Sequence, residues 1–136
     1  MTVDRIVPAG MRSVVESGAY SPAVRAGDFL FVSGQVGRDR NMEVVSSSLE
    51  DHIRATFDNL VTVLREAGAG VGDVVELTTY HVGLTDQMPT FTSVKREYFD
   101  DTTALPAWTA VGIEALNRPE FLVEIQATAY LGHGLR

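Results

Sequence analysis

The segment 121-FLVEIQATAYL-131 decides the fold, because apolar and polar side chains alternate along it residue by residue. One face carries Phe121, Val123, Ile125, Ala127, Ala129 and Leu131. The other face carries Leu122, Glu124, Gln126, Thr128 and Tyr130. An alternation of period two over this length predicts a β-strand with one buried face. The polar face is then either solvated or the floor of a site.

The composition is that of an ordinary soluble globular protein, with 45% hydrophobic and 21% charged residues in 136. This length predicts one domain, residues 1–136. No apolar run is long enough to span a membrane, and the N-terminus lacks the pattern of a signal peptide, so we expect a cytoplasmic protein. Because the chain has no cysteine, it offers neither a thiol nucleophile nor a thiolate metal ligand.

The charged residues argue against nucleic acid and metal as partners. The net charge is −7, whereas proteins that bind nucleic acid usually present a basic field to the phosphates. The three histidines, His52, His81 and His133, show no metal-ligand spacing. We therefore expect no metal site, and we interpret His81 as a structural histidine.

Around the 121–131 segment, the sequence predicts further strands at 28–36, 74–82 and 107–116. Ser46-Ser47-Ser48 offers N-caps to a helix that Gly68 and Gly70 end. Asp86 is the predicted cap of a second helix. The segments 11–16 and 41–45 could form a short hairpin. The apolar stripes of the two helices are Leu49, Ile53, Phe57, Leu60 and Leu64 in the first, and Phe91, Val94 and Tyr98 in the second.

The predicted order is β-β-β-α-β-α-β-β, which is an α+β chain. Two amphipathic helices packed on one face of a mixed sheet are the economical way to bury these stripes. The other sheet face must then be solvated or covered by a partner. Self-association is the simplest source of such cover.

Several polar residues are candidates for chemistry, and each has a structural alternative. Ser33 does not lie in a nucleophile elbow, since Phe31 and Gln35 stand where that motif has glycines. It is either a hydrogen-bonding wall of a pocket or a simple strand-end serine. Glu124 is either exposed or covered by a partner, in which case its pKa would rise toward the range useful for acid–base catalysis. Trp108, the single tryptophan, suits a core or an interface better than a ligand platform.

The order of several motifs resembles the Rid (reactive intermediate deaminase, YjgF-like) family. These motifs are 18-GAYSP-22, 32-VSGQV-36, 105-LPA-107 and 123-VEIQA-127, with 56-TFDNL-60, Ala67-Gly68 and 72-GDVV-75 also similar. The resemblance runs from about Gly18 to Tyr130. It implies a chorismate-mutase-like fold and a homotrimer with active sites in clefts between subunits. It also implies hydrolysis of imines or enamines to carbonyl compounds and ammonia, without a cofactor.

The resemblance also assigns residues to the site. Tyr20, Ser33 and Glu124 match the tyrosine, serine and glutamate that line the family's cleft, so they are the predicted catalytic residues. Glu124 is expected to hold the attacking water and to relay a proton. Gly34, Trp108 and Thr109 are the predicted substrate-binding residues.

One position departs from the family pattern. Well-studied deaminases of the family have an arginine after the proline-alanine pair, and it grips the substrate carboxylate. Trp108 stands at that position here, and Ala110 replaces a cysteine that often follows. We therefore expect an apolar, aromatic or extended substrate rather than iminopyruvate. Arg38 and Arg118 are candidate sources of a compensating charge.

Two other functions are compatible with this sequence. A non-catalytic, metabolite-binding trimer is the first alternative, and the loss of the arginine favours it. An endoribonuclease is the second, and the net charge of −7 argues against it.

Overall fold

A computed structural model describes residues 3–133 of the chain. Its strands are β1 Val3–Ile6, β2 Ala23–Ala26, β3 Phe29–Val36, β4 Val74–Val82, β5 Ala107–Ile113 and β6 Val123–Tyr130. Its helices are α1 Arg12–Glu16, α2 Leu49–Glu66 and α3 Leu84–Tyr98, with short 3-10 turns at Ala9–Met11 and Val71–Asp73. None of the helices within 3–133 is long and apolar enough to cross a membrane.

The strands form one mixed sheet in the order β1-β2-β3-β6-β4-β5. Only β4 and β5 run parallel, and the other neighbours are antiparallel. Helix α2 contacts β3 and β6, and α3 contacts β4 and β5, so both long helices cover the same face. This face is called the helix face below, and the opposite one the open face. The predicted α+β class, with two helices on one face of a mixed sheet, is confirmed.

Strand β6 lies between β3 and β4, in the middle of the sheet. Val123, Ile125 and Ala129 are fully buried beneath the helices. Each large apolar side chain so buried contributes about 1.5–3 kcal/mol to folding. The alternation of β6 therefore fixes its register, because a slip by one residue would move these side chains to the open face.

Helix α2 has the predicted signals at both ends. The Ser48 hydroxyl accepts a hydrogen bond from the Asp51 amide at 3.0 Å. At the other end, Gly68 has a φ of +77°, the left-handed conformation that glycine adopts at little cost. The predicted cap of α3 is wrong, because α3 begins at Leu84 after Gly83, whose φ is +76°. Asp86 lies inside its first turn.

The N-terminal third differs most from the sequence prediction. The segment 11–16 is helical rather than a hairpin strand, because only Val14 is buried and the short helix α1 suffices to bury it. The segment 41–45 forms no strand, and one isolated bridge joins Arg38 to Val44. Strand β2 was not predicted; it pairs with β3 through a tight turn in which Gly27 has a φ of +60°. Strand β5 ends at Ile113, three residues before the predicted end.

Candidate functional site

Glu124 lies on the open face of the sheet, near the middle of the molecule. In register it faces Val36 of β3 on one side and Tyr80 of β4 on the other. Its neighbours along β6, Val123 and Ile125, point to the helix face and are fully buried. The strand alternation that buries the core therefore also directs the Glu124 carboxyl away from it.

A β-bulge brings Gly34 beneath this carboxyl. Val32 pairs with Ala127 and Gln35 with Ile125, so that Ser33 and Gly34 both oppose a single residue of β6. A Cβ atom at position 34 would lie 2.5 Å from Glu124 Cδ and 2.6 Å from its Oε2. Such distances are well below van der Waals contact, so only glycine leaves room for the carboxyl in this position.

The Glu124 carboxyl is half-buried, and burial raises its pKa above the ordinary value. Within residues 3–133 no side chain donates a hydrogen bond to it, and no nearby cation opposes the shift. Desolvation therefore dominates the pKa of Glu124 already within the single chain. A carboxyl with a raised pKa holds and returns a proton more readily near neutral pH than an exposed glutamate does.

Ser33 ties the 18–22 loop to the bulge. Its hydroxyl donates to the Ser21 carbonyl at 2.5 Å, and its amide donates to the Pro22 carbonyl at 2.9 Å. Because its proton is already committed, the Ser33 hydroxyl has only lone pairs left to offer a ligand. This geometry favours the pocket-wall interpretation of Ser33 over a nucleophile.

Tyr20 is 41% exposed on the same loop. It follows Ala19, which has a φ of +58°, an unfavourable conformation for a residue with a Cβ atom. Arg38 Nη2 donates a long hydrogen bond of 3.5 Å to the Tyr20 hydroxyl. Arg118, the other candidate cation, pairs instead with Glu120 at 3.2 Å. The structure thus connects the Tyr20 loop, Ser33, Gly34 and Glu124, and it adds Arg38 to their edge.

Trp108 lies apart from this group in the single chain. It points to the helix face, where its indole nitrogen donates to the Thr79 hydroxyl at 2.9 Å and its ring packs against Phe91. Glu124 is on the opposite face, and β4 separates β5 from β6. Thr109 is exposed and opposes Thr78 on β4, so it alternates with Trp108 onto the open face.

The Thr79 hydroxyl belongs to a buried network of side-chain hydrogen bonds that was not predicted from the sequence. The Gln87 amide nitrogen donates to the carbonyls of Val82 and Leu122, which leaves its oxygen to accept from His81 Nδ1 at 2.6 Å. His81 Nε2 then accepts from the Thr79 hydroxyl at 2.7 Å. Burial lowers the pKa of His81, so the neutral ring is favoured. His81 is therefore a structural residue, and through Thr79 it orients Trp108.

Other features of the described chain do not add to the site. Among residues 3–133, no group of three or more histidine, aspartate or glutamate side chains could hold a metal ion. A cavity of about 780 Å³ lies between the 8–11 segment, the 38–45 loop and the outer face of α2. None of the six predicted site residues lines it.

Comparisons with known proteins agree with this architecture. The family model described as Endoribonuclease L-PSP matches residues 11–131. The RutC family protein YjgH of Escherichia coli is 36% identical over 122 residues, which cover 90% of this chain and 92% of that protein. The 2-iminobutanoate/2-iminopropanoate deaminase of Dermatophagoides farinae is 32% identical over 100 residues, 73% of this chain and 76% of that enzyme.

Solved structures show the same similarity. The structure of protein YJGH has a TM-score of 0.85 and 34% identity, and the match covers 96% of this chain and 98% of that one. The structure of E. coli TdcF with bound serine has a TM-score of 0.74 and 27% identity, covering 82% and 87% of the two chains. Together with the family model and the YjgH relative, these likenesses show that the chain belongs to the Rid (YjgF) family.

Proposed function

We propose that this protein is a Rid-type hydrolase that converts an imine or enamine to a carbonyl compound and ammonia. The observation that carries the proposal is the half-buried Glu124 carboxyl, which lies against Gly34 and has no cation of residues 3–133 beside it. A relative whose name describes an imino-acid deaminase supports the reaction class. The resemblance that assigns Tyr20, Ser33 and Glu124 to the cleft supports the residue roles.

In the proposed mechanism, Glu124 moves protons while water attacks the substrate. Water adds to the imine carbon, the carboxylate takes one of its protons, and that proton passes to the imine nitrogen. The resulting carbinolamine then loses its hydroxyl proton to the carboxylate, which delivers it to the amine. The carbon–nitrogen bond breaks, ammonia leaves and the carbonyl forms. An enamine substrate first takes a proton at carbon and loses one from nitrogen, which converts it to the imine.

Tyr20 and Ser33 would orient the substrate at this carboxyl. The Tyr20 hydroxyl can donate a hydrogen bond, and the Ser33 oxygen can accept one. Both are held by backbone geometry, since the 18–22 loop is fixed to the bulge by two hydrogen bonds from Ser33. Such fixed partners position a reacting group at little entropic cost.

We further propose that the site is completed in a homotrimer. On the open face, Phe29 and Phe31 are 43% and 51% exposed, and their rings are 6.5 Å apart. Exposed aromatic side chains in a cluster are typical of an interface. A neighbouring copy would cover this face, shield Glu124 from water and bring its own edge strand β5 to the cleft. Trp108 and Thr109 would then reach the substrate from the neighbouring subunit.

The test is hydrolysis of imines generated in situ by an amino-acid oxidase from small, branched and aromatic amino acids, followed as loss of semicarbazone formation. We expect faster imine loss with the native protein and none above background with Glu124→Gln. Glu76→Gln is the matched control, because Glu76 is an exposed glutamate on the neighbouring strand β4. Full turnover by Glu124→Gln would remove this mechanism.

A non-catalytic, metabolite-binding trimer is the second candidate. The observation that favours it is Trp108, which stands where the family's deaminases carry the carboxylate-binding arginine. The structure of the relative TdcF with bound serine shows that this relative binds a small molecule, which also supports a binding role here. A compound that raises the melting temperature but is never consumed, in a preparation that hydrolyses no imine of the panel, would favour binding over catalysis.

A further inference from the structure

Both ring nitrogens of His52, a buried residue of α2, are hydrogen-bonded to the backbone of other segments. Nδ1 donates to the Val45 carbonyl at 2.8 Å, and Nε2 accepts from the Leu122 amide at 3.1 Å. A carbonyl oxygen only accepts and an amide N–H only donates, so these partners fix the tautomer with its proton on Nδ1. His52 therefore joins the 38–45 loop to the residue that directly precedes strand β6.

Packing holds this ring in place. His52 is 2% exposed, and its ring stacks on that of Phe121 with the centroids 6.5 Å apart. The chain also passes close to His52 at Gly37, where a Cβ atom would lie 2.6 Å from the His52 carbonyl oxygen and 2.8 Å from Nδ1. The Gly37 carbonyl accepts from the Val45 amide at 2.9 Å, which fixes the loop beside the ring. The Nε2 lone pair is thus presented to Leu122 by a side chain that is already immobilised.

Leu122 lies at the end of β6 that is nearest to Glu124. The register pair with β3 nearest this end is that of Glu124 with Val36. Toward β4, the Leu122 carbonyl still accepts from the Val82 amide at 3.0 Å. The Leu122 amide donates to the His52 ring rather than to a strand. His52 therefore takes the place of a strand hydrogen bond where the pairing of β6 ends.

The same helix also holds the residue opposite Glu124. The side-chain amide of Asn59, on α2, donates to the carbonyls of Val36 and Arg38, both at 2.8 Å. Val36 is the register partner of Glu124 on β3. Helix α2 thus fixes the backbone on two sides of the carboxyl-bearing residue, β3 through Asn59 and the start of β6 through His52.

We propose that His52 is a positioning residue for the Glu124 carboxyl, which it holds in place through the Leu122 amide. The inference rests on the proposed function, because that function gives the carboxyl its role in proton transfer. Leu122 is two residues from Glu124, about 7 Å along an extended strand, so a shift of the strand end moves Glu124 with it. A carboxyl that moves away from Gly34 is better hydrated and less well placed to take a proton from the attacking water.

Two amide variants separate the two hydrogen bonds of the ring. In His52→Gln, the amide oxygen reaches the place of Nε2 and can accept from Leu122, whereas the bond to Val45 is lost. In His52→Asn, the shorter amide can donate to Val45 from the place of Nδ1 but does not reach Leu122. Because the proposal depends on the Leu122 bond, His52→Asn should disturb the carboxyl and His52→Gln should not.

The first measurement is independent of turnover. The pKa of Glu124 is determined by carbon-13 NMR of its side-chain carboxyl, with Glu124→Gln to identify the signal. Burial raises this pKa in the native chain. In His52→Asn it should fall toward the ordinary glutamate value, because the displaced carboxyl is better hydrated, and in His52→Gln it should remain at the native value. Hydrogen exchange of the Leu122 amide should accelerate in His52→Asn alone.

A second perturbation reaches the same contact without replacing His52. In Gly37→Ala, the added Cβ atom lies too close to the His52 ring for the ring to remain where it is. This variant should also lower the pKa of Glu124 and accelerate exchange of the Leu122 amide. It keeps the proposal testable if His52→Asn does not fold.

The second measurement is hydrolysis of the imine that the native protein hydrolyses fastest. In His52→Asn, kcat should fall roughly tenfold to a hundredfold with KM nearly unchanged, because the proton-transfer group is misplaced while the substrate contacts remain. His52→Gln should keep most of the native kcat. Val63→Ala is the control for lost stability, since Val63 is fully buried on α2 roughly 16 Å further along the helix. It should lower the melting temperature and leave both kcat and the pKa of Glu124 unchanged.

Three results would overturn the proposal. The first is a native pKa of Glu124 in the folded His52→Asn or Gly37→Ala variant. The second is a disturbance in His52→Gln as large as that in His52→Asn, and the third is an equal disturbance in Val63→Ala.

Failure of the proposed function would give a different result. If the native protein hydrolyses no imine, the NMR titration still decides whether His52 positions Glu124. Imine hydrolysis that is lost in Glu124→Gln but unchanged in His52→Asn would retain the hydrolase and reject the positioning role.

Discussion

Replacing Gly34 with alanine tests whether the Glu124 carboxyl must occupy the place that the structure gives it. The added Cβ atom would lie 2.5 Å from Glu124 Cδ and 2.8 Å from Cγ. Ordinary contacts between carbon atoms are about 3.5–4.0 Å, so the carboxyl has to retreat by roughly 1 Å or more. Gly34 does not have a positive φ, so the backbone itself accepts alanine.

We expect Gly34→Ala to lower the catalytic rate and to leave the stability of the fold nearly unchanged. A displacement of about 1 Å in a reacting group lowers the rate by roughly a hundredfold. The Glu124 side chain can move outward from the open face, away from the sheet, so the free energy of unfolding should change little. The assay compares kcat/KM for the best imine substrate with thermal unfolding of the same preparation. Gly72→Ala is the matched control, because a Cβ atom at position 72 meets nothing within 4 Å.

A double variant separates this explanation from a general disturbance of the bulge. If Gly34→Ala acts only through the carboxyl, it should cause no further loss in a Glu124→Gln background, so the two effects should not add. Native activity in Gly34→Ala would refute the reasoning. An additional loss of similar size in the double variant would also refute it, since the bulge would then matter for another reason.

Three further predictions concern stability. Glu124→Gln should raise the melting temperature at about pH 8 and not at about pH 4, because burial raises the pKa of this carboxyl in the folded state. The cost to stability is absent below the unfolded-state pKa, grows as the pH rises between the two pKa values and is complete above the raised one. Thr79→Val should lower the free energy of unfolding by about 1–3 kcal/mol in urea denaturation, because it leaves Trp108 Nε1 and His81 Nε2 without their partner. Ala19→Gly should raise it by about 0.5–1 kcal/mol, because it relieves a φ of +58°.

The central part of the fold could be predicted because local pattern and burial agree there. The alternation of β6 identified its buried face, since Val123 and Ile125 are large and Glu124 and Gln126 are polar. Ser48 and Gly68 marked the ends of α2 because capping is a local interaction. The edge of the sheet was less predictable. Strand β2 contains only four residues, and it is a strand because β3 and β1 pair with it.

The site could be predicted only in part for a similar reason. Glu124 and Gly34 stand in recognisable motifs, but their contact depends on a bulge that is a property of two paired strands. The orientation of Trp108 was not predictable, because β5 carries small or apolar residues on both faces and its alternation is uninformative. The hydrogen bonds that join Gln87, His81 and Thr79 to Trp108 form only after α3 has packed on the sheet, so no local pattern indicates them.

The pH dependence of imine hydrolysis tests most directly whether Glu124 is the proton-transfer group. For the best substrate of the oxidase panel, kcat/KM is measured across acidic to neutral pH, with the uncatalysed rate subtracted. The native protein should lose activity as the pH falls through a pKa above the ordinary glutamate value of 4.5. Glu124→Gln should show no significant activity at any pH, and therefore no loss of activity on acidification. A Glu124→Gln variant that keeps both the activity and its loss at acidic pH would contradict the central claim.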